Sequence, residues 1–582
     1  MRQRGLRATV VTVLALSALV VGPVLGARPY RGGVVSSANP RASEAAVAML
    51  NRGGNAVDAA VSAAFVLAVV DPTHSGLGGG GFALFYQAEK RRARALDFRE
   101  VAPAKAHRDM YVRDGKVAPK LATDGALAVA TPAAVEGYLQ LLSTHGKLSR
   151  EVVLAPAIRA AREGFPVTPM YRRIAKDRLD CLRGDREASR IFLRPGESGQ
   201  PEVPAIGTII RQPDLARTLQ LIARDGSKAF YSGRVARAIE AAVRDGGGVL
   251  TLEDIRNLKV VWRDPLEGKY RGHRILTMPP PSAGGLAVIQ VLGVLEVREP
   301  NGFLPGDPEA VHVYVEALRR AFAERVQYLG DPAFNEIPLG KLASPEHIAQ
   351  LAGSIDAGRA TPSSALLTGP GAAAAERPAG RALDAKHTTH VSVLDAQGNA
   401  VALNSTINDG FGACLVAKGT GILLNDEMDD FASNPSVPNV YGLVTGEANA
   451  IAPGKRPLSS MSPTLVFQKE DAQRVMLVVG GAGGPTIPTS VIQVVSNVID
   501  HRMELTRAVG RGRVHHQLFP DLVRLEPDAL DPLTRRALEA KGHRLEPRDP
   551  WGDAESVMED PVTHLRYAGS DPRNEGAGMG QD

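Results

Sequence analysis

A threonine hydroxyl does chemistry at neutral pH only when a base takes its proton. Residues 384–430, DAKHTTHVSVLDAQGNAVALNSTINDGFGACLVAKGTGILLNDEMDD, contain a threonine for which such a base can be found. Thr388–Asp395 and Ala400–Thr406 are rich in Val, Leu and Thr, and Gly398 lies in the break between them, which is the pattern of a β-hairpin. A three-residue turn, Ala396-Gln397-Gly398, flanked by Asp395 and Asn399, places Thr388 opposite Thr406. No general-base motif stands nearby. A cut between His387 and Thr388 supplies one, because a free α-amino group has a pKa of about 7.7–8.0, close to where a general base works best. An N-terminal Thr activated by its own amine is a competent nucleophile.

Four motifs follow in order: TTHVSV, the NSTIN of Asn404–Asn408, GILLNDEMDDF and KRPLSSMSP. Together they resemble the γ-glutamyltranspeptidase family of N-terminal-nucleophile hydrolases, and the resemblance extends over nearly all of residues 31–573. It implies an α/β protein, a four-layer αββα sandwich built from two subunits of one self-cleaving precursor. These are a large subunit, 28–387, and a small subunit, 388–582, carrying Thr388 at its start. The implied activity is that of a γ-glutamyltransferase and glutathione hydrolase. A γ-glutamyl ester on Thr388, drawn from glutathione or another γ-glutamyl compound, passes to water or to an amino acid or peptide acceptor, with no cofactor.

Carried over position by position, the resemblance gives Arg99, within DFREVAPAKAHRDMY, the substrate's α-carboxylate, which a guanidinium can bond through both oxygens. Glu427 and Asp430 receive the α-ammonium, Ser459 and Ser460 assist at the carboxylate, and Asn408 touches the head group. Thr406 hydrogen-bonds Thr388. The backbone N–H groups of Gly483 and Gly484 form the oxyanion hole, glycine allowing close approach to the developing charge. Before that glycine pair the chain has Gly481-Ala482 where the family usually has serine-proline, a departure that bears on loop rigidity. Tyr441 stands at the tip of an expected lid, Pro435–Gly446, and Met278–Gly285 resembles a family turn near the site.

These residues need elements to position them. A strand at GGVVSSA, a helix over Ala42–Leu50 ending at Gly53-Gly54, and an apolar helix from Ala56 to Val70 precede SGLGGGGFALFY. Gly76, Gly78 and Gly81 match the dinucleotide fingerprint in form. The context is helix before and strand after, the reverse of what that fingerprint requires, so close backbone packing is the expected role. Residues 120–350 read as largely helical. Residues 354–387, rich in Ala, Gly, Pro and Arg without apolar periodicity, read as a mobile loop that lets the chain bend for self-cleavage.

Composition excludes several classes. With 44% hydrophobic and 23% charged residues the chain is an ordinary globular protein. Residues 1–27 carry Arg2, Arg4 and Arg7 ahead of ATVVTVLALSALVV and read as a secretory signal peptide rather than a signal anchor, so export to the periplasm or medium is expected. Removing it lowers the formal charge from +5 to +2, no signature of a nucleic-acid partner. The KRRAR run at Lys90–Arg94 reads as a solvated loop. The acids of Asn425–Asp430 lack EF-hand spacing, and no metal-ligand spacing is found from about 120 to 350. His515-His516 reads as packing, since no G-x-S-x-G elbow accompanies it. Cys181 and Cys414 are far apart and are expected as separate buried thiols. The competing functions are a glutaryl-β-lactam acylase or a poly-γ-glutamate hydrolase of the same fold, and a non-catalytic exported scaffold. Replacing Thr388 by Ala is expected to leave the chain uncut and inactive, which a denaturing gel with N-terminal sequencing of each band checks.

Overall fold

The computed structural model describes residues 27–197, 199–299, 306–367, 387–432 and 438–582. The expected signal peptide, except its last residue, therefore lies outside the described residues, as do 368–386 of the pre-cleavage loop and 435–437 of the expected lid.

The hairpin lies inside a seven-stranded antiparallel sheet. Its order is Val261–Arg263, Arg92–Phe98, Gly80–Gln87, Ala400–Thr406, Thr389–Leu394, Val34–Ser37, Ala577–Gly580. Thr389 pairs with Ser405 and Leu394 with Ala400, so the expected register is the observed one. Asp395 N donates to Asn399 O at 2.9 Å to close the turn, and Gly398 adopts φ 85°, which glycine accepts without steric cost. A second, six-stranded antiparallel sheet runs Leu266–Tyr270, His273–Thr277, Thr464–Phe467, Val475–Ala482, Asp553–Glu559, Arg566–Gly569.

Alternation along the strands dictates how these sheets pack. Leu394, Ala400 and Ala402 of the hairpin join Leu276, Leu465, Val478 and Val557 of the second sheet in one apolar cluster. The intervening residues Val391, Val393, Val401 and Leu403 turn the other way, onto the helices Pro40–Asn51 and Ala56–Val70. Likewise Ile275, Leu477 and Val479 of the second sheet pack on the helices Ala283–Arg298, Pro308–Tyr328 and Thr486–Ile499. Helix Ala56–Val70 is buried on every side, which explains its unbroken apolar run.

The glycine-rich stretch is close packing, as its context implied. A Cβ at Gly79 would stand 1.9 Å from Thr406 O, and one at Gly78 2.1 Å from Leu423 O. Gly79 thus lies against the strand that carries Thr406, and Gly78 against the segment Leu423-Leu424.

Three expectations need correction. Within the region read as helical, Val261–Arg263, Leu266–Tyr270 and His273–Thr277 are strands, the first completing one sheet and the other two forming the edge of the second. Sheet pairing overrides the local pattern there. Residues 354–367 are not a loose loop: Arg320 donates to Ser354 O at 2.8 Å, Ala360 N to Lys541 O at 2.7 Å, and Ser363 N to Asp521 at 2.8 Å. Finally, Cys181 and Cys414 are joined in a disulfide, with Cα atoms 5.8 Å apart. Arg178, on the turn before Cys181, donates to the carbonyls of Gly410 and Gly412 at 3.0 and 2.8 Å and so seats one cysteine over the other.

The bond links residues on opposite sides of Thr388. A chain opened ahead of Thr388 is therefore expected to run as one band on a non-reducing denaturing gel and as two after reduction.

Candidate active site

Thr388 is 5% exposed and adopts φ 96°, a region that a β-branched residue occupies only under strain. Two contacts hold it there. Its hydroxyl donates to Thr406 Oγ1 at 3.1 Å, and the carbonyl oxygen of His387, on the bond that precedes it, accepts from Gly483 N at 3.1 Å. Thr406 Oγ1 also accepts from Asn408 N at 2.9 Å, which fixes the hydroxyl pair from the far side. Gly483 and Gly484 have φ 117° and 55°, left-handed conformations that glycine adopts without steric cost, and Gly484 lines the same cavity as Thr388. The His387 imidazole Nε2 lies 2.9 Å from Asp409 Oδ1. Burial works against that charge, yet His387 and Arg178 hold the Asp409 carboxyl below the usual carboxylate range.

Beside this pair is a small cavity lined by Arg99, Arg325, Asn408, Glu427, Asp430, Tyr441, Ser459 and Ser460 as well as Thr388. Arg99 and Glu427 are fully buried there, and the Asp430 side chain is 14% exposed. Arg99 donates from one nitrogen to Glu427 and from another to Asp430, stands 3.4 Å from Glu100, and bonds Pro457 O at 3.2 Å. Burial favours a neutral Arg99, but the three carboxylates outweigh it and hold the guanidinium firmly charged. The acids pay in the opposite sense. Burial lifts Glu427 to about 7 against the pull of Arg99, and it raises Asp430 and, well beyond the usual range, Glu100. Burial therefore disfavours the charged forms of Glu100 and Asp430, and Glu427 titrates close to neutral pH.

Ser459 and Ser460 are presented by a segment braced on the turn 278–285. Ala283 N donates to Ser459 O at 2.7 Å, and Ser459 N to Pro281 O at 2.9 Å. A Cβ at Gly284 would meet Ser460 O at 2.3 Å, so that turn supports the serines by backbone proximity. Tyr441 is buried rather than a surface aromatic; its hydroxyl donates to Asn408 O at 2.9 Å and its ring lies against Gly484. His515 and His516 lie away from the cavity. Burial lowers them to about 3 and about 4, so they are neutral packing groups, His515 bonded to Gln517 and His516 to Asp521.

The structure thus brings together every residue that the sequence singled out: Thr388, Thr406, Gly483, Gly484, Arg99, Asn408, Glu427, Asp430, Tyr441, Ser459 and Ser460. Sequence reasoning missed Arg325, Glu100 and the Arg178–Asp409 pair. Arg325 left one trace. It stands where the apolar stripe Leu318, Phe322 of its helix should continue.

Two facing sheets flanked by helices, with a strained threonine whose preceding carbonyl is already held by a glycine N–H, define an N-terminal-nucleophile type of enzyme. The family model for gamma-glutamyltranspeptidase matches residues 42–581, and the chain belongs to that family. It is 40% identical over 544 residues to the glutathione hydrolase proenzyme of Escherichia coli K12, covering 93% of this chain and 90% of that one. It is 35% identical over 532 residues to the acylase ACY 1 proenzyme of Pseudomonas sp. strain SE83, covering 90% and 88%. Among solved structures, the cephalosporin acylase from Bacillus halodurans aligns with TM-score 0.81 at 25% identity, covering 98% of this chain and 100% of that one. The Helicobacter pylori gamma-glutamyltranspeptidase aligns with TM-score 0.54 at 37% identity, covering 56% and 93%.

The raised Glu427 has a measurable consequence. Below about 7 it is protonated and accepts a cation poorly; above, it is charged. Affinity for an amino acid head group is therefore expected to fall as pH drops through about 7, and Glu427→Gln to flatten that dependence. Kd measured against pH checks both.

Proposed function

We propose that this protein is an exported, self-processing γ-glutamyltransferase with glutathione hydrolase activity, cut into residues 28–387 and 388–582. The observation that carries the proposal is the uncut geometry at Thr388: a nucleophile bonded to Thr406, strained, next to a carbonyl already in contact with Gly483 N–H. Membership of the family supports it. The paired order of sheets and outer helices supports the four-layer αββα reading.

In processing, Thr388 Oγ1 attacks the His387 carbonyl carbon. Its proton passes to the leaving amine, and the peptide becomes an ester between His387 and Thr388. Gly483 N–H stabilises the oxyanion. Water then hydrolyses the ester, leaving a carboxylate on His387 and a free α-amine on Thr388. That relieves the strain of φ 96° and creates the base that turnover requires.

In turnover, the α-amine takes the Thr388 proton as the hydroxyl attacks the γ-carbonyl of a γ-glutamyl amide, and returns it to the departing amine. Gly483 and Gly484 hold the oxyanion. Arg99, with Ser459 and Ser460, binds the α-carboxylate; Glu427, Asp430 and Asn408 bind the α-ammonium. Water or an amino acid or peptide amine then attacks the ester. Tyr441 covers the site. Two carboxylates beside one arginine favour a head group bearing both charges, which a glutaryl group, lacking the ammonium, does not.

The test compares γ-glutamyl and glutaryl p-nitroanilides. Faster turnover of the γ-glutamyl compound is expected, and a clear preference for glutaryl would make the protein an acylase. Arg99→Ala should still cut itself while its KM for the γ-glutamyl compound rises roughly 100-fold, from loss of a buried charge pair. Unchanged KM would refute the carboxylate assignment.

A further inference from the structure

The cavity contains a second guanidinium that the mechanism above leaves idle. Arg325 lies in the last turn of helix Pro308–Tyr328 and is 5% exposed. Among the described residues its Nε has no hydrogen-bond partner and Nη1 reaches only Val444 O, at 3.5 Å. Arg99 is saturated by carboxylates, whereas Arg325 has none within ion-pair distance among the described residues. An under-bonded cation buried in a binding cavity is costly unless an anion comes to it.

Counting charges identifies that anion. Arg99 holds both Glu427 and Asp430. A γ-glutamyl group arrives with a carboxylate and an ammonium. Its carboxylate can take Arg99 only if an acid lets go, and its ammonium needs that acid still charged. Arg99 alone cannot balance Glu427 and Asp430 around a bound zwitterion: the buried site would hold one net negative charge, and one acid would take a proton. Two arginines against two carboxylates close the balance. Asp430 is the acid that Arg325 acts on, since each influences the ionisation of the other across the cavity. Asp430 is also the less tightly confined of the two acids. Its side chain is 14% exposed against 1% for Glu427, and its other oxygen accepts from Asn439 Nδ2 at 3.2 Å. Val444, whose carbonyl Arg325 touches, belongs to the same segment as Tyr441, so a shift of Arg325 toward Asp430 gives up only a long, weak bond.

We propose that Arg325 is a positioning residue for the amino acid head group. When the substrate's α-carboxylate takes Arg99, the Asp430 carboxylate passes to Arg325 and remains charged to receive the α-ammonium. This rests on the γ-glutamyl reading and adds to it the residue by which the site separates γ-glutamyl from glutaryl groups. A glutaryl group makes no use of Asp430, so Arg325 matters to it far less.

The experiment measures kcat and KM of the self-processed protein for γ-glutamyl and glutaryl p-nitroanilides in wild type, Arg325→Met, Arg325→Lys, Asp430→Asn and the double variant Asp430→Asn/Arg325→Met. Arg325→Met is expected to raise KM for the γ-glutamyl compound at least tenfold with a much smaller change in kcat. The γ-glutamyl to glutaryl ratio of kcat/KM should fall by a similar factor, and Lys should restore most of it. In the Asp430→Asn background, Arg325→Met should cost less than threefold further. The double variant removes both buried charges together, so it keeps the test open should the single Met variant misfold. An unchanged ratio in Arg325→Met, or full additivity in the double variant, overturns the role of Arg325 while leaving the wild-type γ-glutamyl preference intact. A wild type that prefers the glutaryl compound overturns both readings.

Discussion

Everything near the site depends on one register, that of Thr389 opposite Ser405. The hairpin is apolar on both faces because one face meets the other sheet and the other meets the helices. Sliding it by a single residue would exchange Val391, Val393, Val401 and Leu403 for Leu394, Ala400 and Ala402, putting large side chains where small ones fit and breaking both cores at once. The same slip would part Thr388 from Thr406. Burial of two hydrophobic layers thus fixes, as a by-product, the distance between two hydroxyls. Gly79 extends the constraint, since the Thr406 carbonyl leaves no room for a Cβ there.

Electrostatics at the site follow from the same burial. A cavity walled by strands and helices excludes water, so Arg99, Glu427, Asp430 and Glu100 can be charged only through one another. That is why burial raises Glu100 well above the usual carboxylate range and Glu427 lies at about 7. Arg99, Glu427 and Asp430 satisfy one another, and in the proposed function a head group substitutes its own carboxylate and ammonium for these contacts. Selectivity of this kind arises less from shape than from matching a charge pattern that water is not there to screen.

Several contacts bear on the peptide bond at which processing is proposed. Strain at Thr388, the Gly483 N–H on the His387 carbonyl, and the His387–Asp409–Arg178 chain of contacts all act on one peptide bond. Arg178 ties that chain to the disulfide by reaching over Cys181 and Cys414. The disulfide thus braces the loop carrying Asn408 and Asp409 from outside, and it also joins the two sides of the cleavage point.

Local pattern by itself determined the hairpin, its turn and its register, because alternation and a glycine turn are properties of adjacent residues. It also determined the two N-terminal helices and the packing role of the glycines. Motif resemblance placed Arg99, Glu427, Asp430, Ser459, Ser460 and the glycine pair, and the fold gathers them around Thr388. What only the tertiary structure decided are partnerships across long separations. Cys181 finds Cys414 because Arg178 docks on a distant loop. Residues 261–277 become strands because edges of two sheets are there to receive them. Arg325 enters the cavity because its helix buries the face on which it stands. None of these is encoded in neighbouring residues, since an isolated charge or thiol looks the same in sequence whether water or a buried partner awaits it.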